Sequence, residues 1–311
     1  MVIASAKPPL TLIAGPTASG KSALALALAE RTGGAIVNAD SAQVYRDLPV
    51  LSAAPSKRDR DRADHRLYGF RDAADPCSAA AWAELAKTEI AALHSQGRLP
   101  ILAGGTGLYL RTLLDGIAPV PDIDPEIRTQ IRHAPVEDNR RRLEALDPEA
   151  AERLDPRDRT RTARALEVVL STGRTLKSWQ SSRAGGIKDA VELRALILLP
   201  PRDWLYRRCD ERFAGMVDHG AIAEVEALMA RKLNPNLPAM RAIGVPELSA
   251  YARGETSLEA AIAAGQQATR RYAKRQYTWF AHQPPPEWAR FGEPLDEESI
   301  AAALELLGAK A

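Results

Sequence analysis

Short apolar runs closed by glycines set the pattern of this chain. Leu10 to Ala14 is apolar except at Thr11 and has the length of a buried strand. Gly15-Pro16-Thr17-Ala18-Ser19-Gly20-Lys21-Ser22 follows at once. Ala23 to Ala29 is entirely Ala and Leu and predicts a helix. Ala35-Ile36-Val37 reads as a second short strand, which leads into Asp40. Ser78 to Gln96 has helical spacing, with Trp82, Leu85, Ile90 and Leu93 as its apolar positions and Trp82 in the core. Leu99 to Ala103 is a third strand, ending in Gly104-Gly105-Thr106-Gly107, a second glycine turn that opens another helix. Val191 to Leu199 predicts a strand that rejoins the sheet. Arg202 to Gly220 then reads as a helix carrying Arg207, Arg208 and Arg212 among apolar positions. Strands alternating with helices predict an α/β fold on a parallel sheet.

The polar stretches divide the chain. Residues 52–76 are charged and punctuated by proline, which reads as a solvated, mobile loop without chemistry and with His65 exposed. Pro119, Pro121 and Pro125 form a stiff connection. From Arg128 to Arg183 the pattern is helical, with thirteen Lys or Arg against nine Asp or Glu. That excess is small, but Arg153, Arg157, Arg159, Arg161 and Arg164 crowd together, and Arg161 and Arg164 share a helical face. This predicts an inserted helical lobe with a basic side; a solvated helix laced with ion pairs fits the same residues. The expected organisation is a core of residues 1–119 and 185–311 with residues 120–184 inserted.

The first glycine loop carries the clearest chemistry. Strand, GxxxxGK[ST] loop and helix together form a phosphate-binding P-loop. Its glycines let backbone N–H groups converge, the helix start adds unpaired N–H groups, and Lys21 supplies a full charge. Ser22 is the candidate Mg²⁺ ligand. Asp40 lies beyond a strand end, where ligands of open α/β sheets sit, although a helix cap uses the same residue types. Nucleotide hydrolases of this loop class hold Mg²⁺ with an Asp ending a second apolar strand, and no strand here ends directly in one. An ordinary ATPase is therefore not expected. Thr269-Arg270-Arg271-Tyr272-Ala273-Lys274-Arg275-Gln276-Tyr277-Thr278-Trp279-Phe280 carries four cations, four aromatics and no acid. Cations interleaved with aromatics suit a nucleic-acid surface, though an amphipathic helix remains open.

Composition changes this picture little. The chain has 311 residues, 45% hydrophobic and 26% charged, with a net charge of +2, which suits a globular protein and names no partner by itself. Cys77 and Cys209 have no metal spacing and read as idle thiols of a cytoplasmic protein. No apolar run reaches membrane length, and Met1 to Pro9 lacks a leader core.

The chain resembles the bacterial tRNA dimethylallyltransferases, also called tRNA isopentenyltransferases. The likeness rests on GPTASGKS at 15–22, DSAQVYR at 40–46, GGTGLYL at 104–110, RTARALEV at 161–168, Ala242-Ile243-Gly244 and TRRYAKRQYTWF at 269–280. It implies an α/β P-loop NTPase-like parallel sheet core with an inserted helical lobe and C-terminal helices. It implies transfer of a dimethylallyl group from its diphosphate to the N6 amine of the adenosine 3′ of the anticodon. Asp40 would be the general base, with Thr17 and Arg208 also catalytic. Gly15, Pro16, Thr17, Ala18, Ser19, Gly20, Lys21 and Ser22 would bind diphosphate, with Mg²⁺ on Ser22. Contacts to the tRNA anticodon stem-loop would fall on Asp40, Ser41, Ala42 and Gln43, on Thr106, and on Thr160, Arg161 and Arg164 of the lobe. They would continue on Arg241, Gly244, Lys274, Arg275 and Gln276. A cytoplasmic monomer with no membrane contact is expected. The family usually has a GTAKP-like run where this chain has Leu51-Ser52-Ala53-Ala54-Pro55, and a histidine pair where it has Asp64-His65. Two other activities fit parts of the pattern: prenyl transfer to free adenylate, and a small-molecule kinase with a helical lid.

Overall fold

A computed structural model describes residues 7–308; Met1–Ala6 and Ala309–Ala311 lie outside it, and with them most of the Met1–Pro9 stretch judged for a leader. Six strands form one sheet: β1 (Pro9–Ala14), β2 (Ala35–Asn38), β3 (Asp64–Arg66), β4 (Pro100–Gly104), β5 (Glu192–Leu198) and β6 (Ala289–Phe291). All pair in parallel, in the order β3-β2-β4-β1-β5-β6. β1 is central because it is apolar on both faces: Leu10, Leu12 and Ile13 are completely buried. The chain turns to one side of β1 for β2, β3 and β4 and to the other for β5 and β6. The strand order reverses at β1, so the loop after β1 lies where such sheets open a crevice.

Helix α1 (Lys21–Thr32) buries Leu24 and Leu28 in a core shared with Ile13, Ile36, Ile101 and Leu196. Helix α3 (Ala79–Ser95) buries Trp82, which stacks on Tyr109 at 4.5 Å and donates its indole N–H to the Asn38 carbonyl at 2.9 Å. Tyr109 lies on α4 (Gly107–Asp115).

Residues 52–76 are more ordered than their composition predicts. They contain α2 (Lys57–Arg62), started by a capping box between Ser56 and Asp59, and the edge strand β3. His65 is half-buried rather than exposed, with Nδ1 at 2.9 Å from the Ala63 carbonyl. β3 and β6 have three residues each, too few for an alternating pattern to register.

The C-terminal helices include α10 (Arg202–Met216), α11 (Ile222–Ala230), α12 (Val245–Ala252), α13 (Leu258–His282) and α14 (Glu297–Leu306). Between α10 and α11 the backbone kinks at Gly220, where φ is 102°. A Cβ on Gly265 would sit 2.0 Å from the Phe213 ring, so glycine there lets α13 press against α10.

Residues Leu114–Ile187 form a second compact unit. Its helices are α5 (Pro125–His133), α6 (Val136–Leu146), α7 (Pro148–Arg153), α8 (Arg159–Thr172) and α9 (Leu176–Gln180), around Ile131, Leu143, Ala151 and Leu166. Fully buried Glu167 is met by Arg132 at 2.8 Å and Arg164 at 3.9 Å. Among the described residues, no helix is long and apolar enough to cross a membrane.

Candidate active site

The phosphate loop is built by two constraints. Gly15 passes so close to β5 that a Cβ would lie 2.5 Å from the Leu198 carbonyl oxygen, at a φ of 151°. Gly20, at a φ of 97°, starts α1 without a side-chain cap. The first N–H groups of α1 are thereby left to the loop's concavity, which favours an anion. Ala18 takes a left-handed φ of 63°, the conformation that turns successive N–H groups inward. Lys21 Nζ reaches back to the Pro16 carbonyl at 2.7 Å. Its burial pulls the ammonium pKa from 10.5 down to about 8, with Asp40 opposing the shift and Arg212 adding to it.

Asp40 arrives through a chain of hydrogen bonds. Buried Asn38 ends β2; its Oδ1 accepts the Asp40 N–H at 2.8 Å, and its Nδ2 donates to the carbonyls of Asp40 and Leu67. Asp40 Oδ1 then accepts the Ala42 N–H at 2.9 Å. The turn after β4 supports this segment from below: Thr106 Oγ1 accepts the Ser41 N–H at 2.9 Å. Gly104 must be glycine, because a Cβ would lie 2.2 Å from the Ala39 backbone.

Two cavities of about 320 Å³ each meet at Asp40. The polar one is lined by the phosphate loop from Thr17 to Ala23, with Arg208, Arg212 and Tyr68. The other has apolar walls, among them Leu48, Leu51, Phe213 and Met216, and carries Arg241 and Arg275. Thr17, Asp40, Ser52 and Arg212 line both. Arg212 donates to Thr17 Oγ1 and is half-buried, and its desolvation works against its charge. Burial and the Asp40 carboxylate also raise the phenol pKa values of Tyr68 and Tyr272, keeping both protonated beside the carboxylate. A carboxylate between an anion cradle and an apolar recess can take a proton from a nucleophile held in one while a leaving group departs into the other.

The residues singled out from sequence fall into distinct places. Thr17 to Ser22, Asp40, Ser41, Ala42, Gln43 and Arg208 line these cavities, Gly15 and Pro16 lead into the loop, and Thr106 stands behind Ser41. Arg208 lines the polar one and stacks on Trp204 at 4.7 Å, but Arg212, one turn later, reaches Thr17. Gln43 turns inward, donating to the carbonyls of Ser52 and Ala53. Lys274 and Arg275 are exposed on α13, and Arg241 is exposed beside the apolar cavity. Two residues differ from the expected RNA contacts. Gly244 is buried at the start of α12, where a Cβ would meet Leu51 at 2.5 Å. Gln276 is also buried, and both ends of its amide are bonded within the protein. In the second unit, Thr160 and Arg161 are exposed on the first turn of α8, whereas Arg164 leans on Glu167.

The sequence reading assigns no role to Tyr68, Arg212 or Glu224. Glu224 accepts the N–H groups of Val50 at 2.7 Å and Leu51 at 2.9 Å, fixing the wall of the apolar cavity from α11. Burial raises its carboxyl pKa and those two hydrogen bonds oppose the rise. Arg212 carried a signal, standing four residues after Arg208 on the same helical face.

Residues 43–283 match the family model described as IPP transferase. The chain belongs to the IPP transferase family. It is 60% identical to a tRNA dimethylallyltransferase of Erythrobacter litoralis over 289 residues, 91% of each chain. It superposes with a TM-score of 0.70 and 31% identity on a tRNA isopentenylpyrophosphate transferase of Bacillus halodurans, covering 97% of this chain and 95% of that one. A eukaryotic dimethylallyltransferase described as acting on tRNA shares the fold, with a TM-score of 0.82 and 24% identity, over 98% of this chain and 80% of that one. Within this family, the all-parallel sheet, the phosphate loop and Asp40 form the P-loop-like core that the sequence predicts.

Proposed function

We propose that this chain transfers the dimethylallyl group of dimethylallyl diphosphate to the N6 amine of the adenosine 3′ of the anticodon in tRNA, releasing diphosphate. The observation that carries this reading is the position of Asp40 on the wall common to the phosphate-loop cavity and the apolar cavity. The amine lone pair is delocalised into the purine and is a weak nucleophile. As the N–C bond forms, the carboxylate takes the amine proton while the allylic C–O bond breaks. The negative charge then growing on diphosphate is met by the loop N–H groups, Lys21 and Arg212. The base must leave the anticodon stack to reach Asp40.

The donor set suits a hard divalent cation. Ser22 lines the polar cavity, and Mg²⁺ binds readily through one hydroxyl, phosphate oxygens and water. Such an ion would supply further charge neutralisation on the diphosphate. Among the described residues no cluster of three or more His, Cys, Asp or Glu could hold a metal by itself. Arg241, Lys274 and Arg275, with Thr160 and Arg161 in the second unit, provide cations for the RNA backbone. The reading is of a monomer working in the cytoplasm, the compartment that holds tRNA.

Asp40→Asn tests the reading. It keeps the Ala42 hydrogen bond and the fold but removes the proton acceptor, so turnover should fall about 10²–10⁴-fold with RNA affinity retained. Turnover near that of the unaltered chain in a folded variant would remove Asp40 from the chemistry.

A further inference from the structure

Building on the prenyl-transfer reading, we propose that Gln276 is a positioning residue for the phosphate loop rather than an RNA contact. The residue is only 6% exposed, although it sits in the most cationic stretch of α13. Oε1 accepts the Thr17 N–H at 2.8 Å, and Nε2 donates to the Gly105 carbonyl at 2.8 Å. The amide thus ties the loop after β1 to the turn after β4. Thr17 is then held twice, by its N–H from Gln276 and by its hydroxyl from Arg212.

The neighbouring turn is shaped for this contact. A Cβ on Gly105 would lie 2.4 Å from Gln276 Nε2, and one on Gly107 would lie 2.6 Å from the Trp279 ring. Gln276 and Trp279, three residues apart on one helical face, therefore both seat against the glycine turn. Arg271, Lys274 and Arg275 are exposed on the same helix. One helix presents cations outward and sets the phosphate loop inward.

The residue type follows from the two bonds. One partner is an N–H and the other a carbonyl, so the bridge needs one acceptor and one donor on a single side chain. A primary amide has both and adds no charge beside a diphosphate. A carboxylate would repel the Gly105 carbonyl and the ligand; a lysine has no acceptor. Asparagine is one methylene too short to keep both contacts from the same backbone position.

The experiment measures pyrophosphate and anticodon stem-loop binding separately, alongside prenyl-transfer kinetics. In folded Gln276→Leu, pyrophosphate Kd and KM for dimethylallyl diphosphate should rise about tenfold, the scale of one buried hydrogen bond removed with its partners stranded. Stem-loop affinity should stay within about twofold. The Lys274/Arg275 double alanine should show the reverse pattern. Gln276→Glu should be more damaged than Gln276→Leu near neutral pH and should recover as pH falls, because the neutral acid can again donate and accept. Gly105→Ala, which pushes on the amide from the opposite side, should also weaken pyrophosphate binding. Its methyl should cost less in a Gln276→Ala background, where the amide is gone. That cycle decides the matter if Gln276→Leu does not fold. Weakened stem-loop binding with pyrophosphate Kd unchanged in the Gln276 variants would overturn the proposal, as would strictly additive effects in the cycle. Failure of the unaltered chain to make prenylated RNA would overturn the underlying reading instead, since the two binding constants are measured without turnover.

Discussion

Lys21 should make diphosphate binding fall with alkaline pH. Burial in the phosphate loop holds its ammonium at a pKa of about 8 instead of 10.5, with Asp40 opposing and Arg212 assisting. A bound diphosphate favours the charged lysine, so the ligand binds the protonated form. About nine-tenths of Lys21 is charged at pH 7 and about one-tenth at pH 9. Affinity for dimethylallyl diphosphate should therefore fall about tenfold between those values. The ligand contributes little of that change, because its last ionisation lies near pH 6. Calorimetry in buffers of different ionisation enthalpy, without RNA, should show about half a proton taken up per ligand at pH 8 and about a tenth at pH 7. Lys21→Met should bind more weakly and lose both the slope and the uptake. The sign for the ligand-free fold is opposite to the binding effect. The folded pKa lies below the unfolded one, so the unfolded chain binds more protons between pH 8 and 10.5, and Lys21 adds stability as pH rises through that window. A flat affinity from pH 7 to 9, or an unchanged slope in Lys21→Met, would show that the charge of Lys21 does not govern diphosphate binding.

Two further outcomes follow from the site. Arg212→Met should lower turnover about 10²–10³-fold, the usual worth of a group facing a developing anion, and more than Arg208→Met, because Arg212 lines both cavities and holds Thr17; equal losses in single-turnover rates would return the larger role to Arg208. Arg161→Ala and the Lys274/Arg275 double alanine should each weaken stem-loop binding and flatten its salt dependence by about one unit of slope for every RNA phosphate no longer neutralised; unchanged slopes in salt titrations would assign these residues to a solvated face.

The phosphate loop and Asp40 were legible in sequence because their signals are local. Eight consecutive residues between a strand and a helix specify the loop, and a short apolar run puts Asp40 just beyond a strand end. The lysine and serine of that loop lie where their spacing requires, lining the polar cavity. The rest of the site depends on contacts between distant segments. Gln276 looked like a nucleic-acid residue because cations and aromatics surround it; only the packing of α13 on the glycine turn shows that it faces inward. Tyr68 was hidden in a charged stretch whose order comes from a capping box and a three-residue edge strand, neither of which has an apolar period to detect. Glu224 is one acid among many on the helical surface, and its role arises from two N–H groups far away in the chain.

In the proposed reaction the phosphate loop holds a prenyl diphosphate and Asp40 serves an adenine amine of RNA. Its most direct test incubates the full chain with dimethylallyl diphosphate, Mg²⁺ and an anticodon stem-loop bearing adenosine 3′ of the anticodon, without ATP. Mass spectrometry of the RNA and assay of released diphosphate are the readouts, with free AMP and small alcohols as competing acceptors. One dimethylallyl group on N6 of that adenosine and one diphosphate released per transfer are expected, with inorganic pyrophosphate inhibiting and the competing acceptors untouched. A requirement for ATP, or prenylation of AMP in preference to the stem-loop, would contradict the proposed reaction.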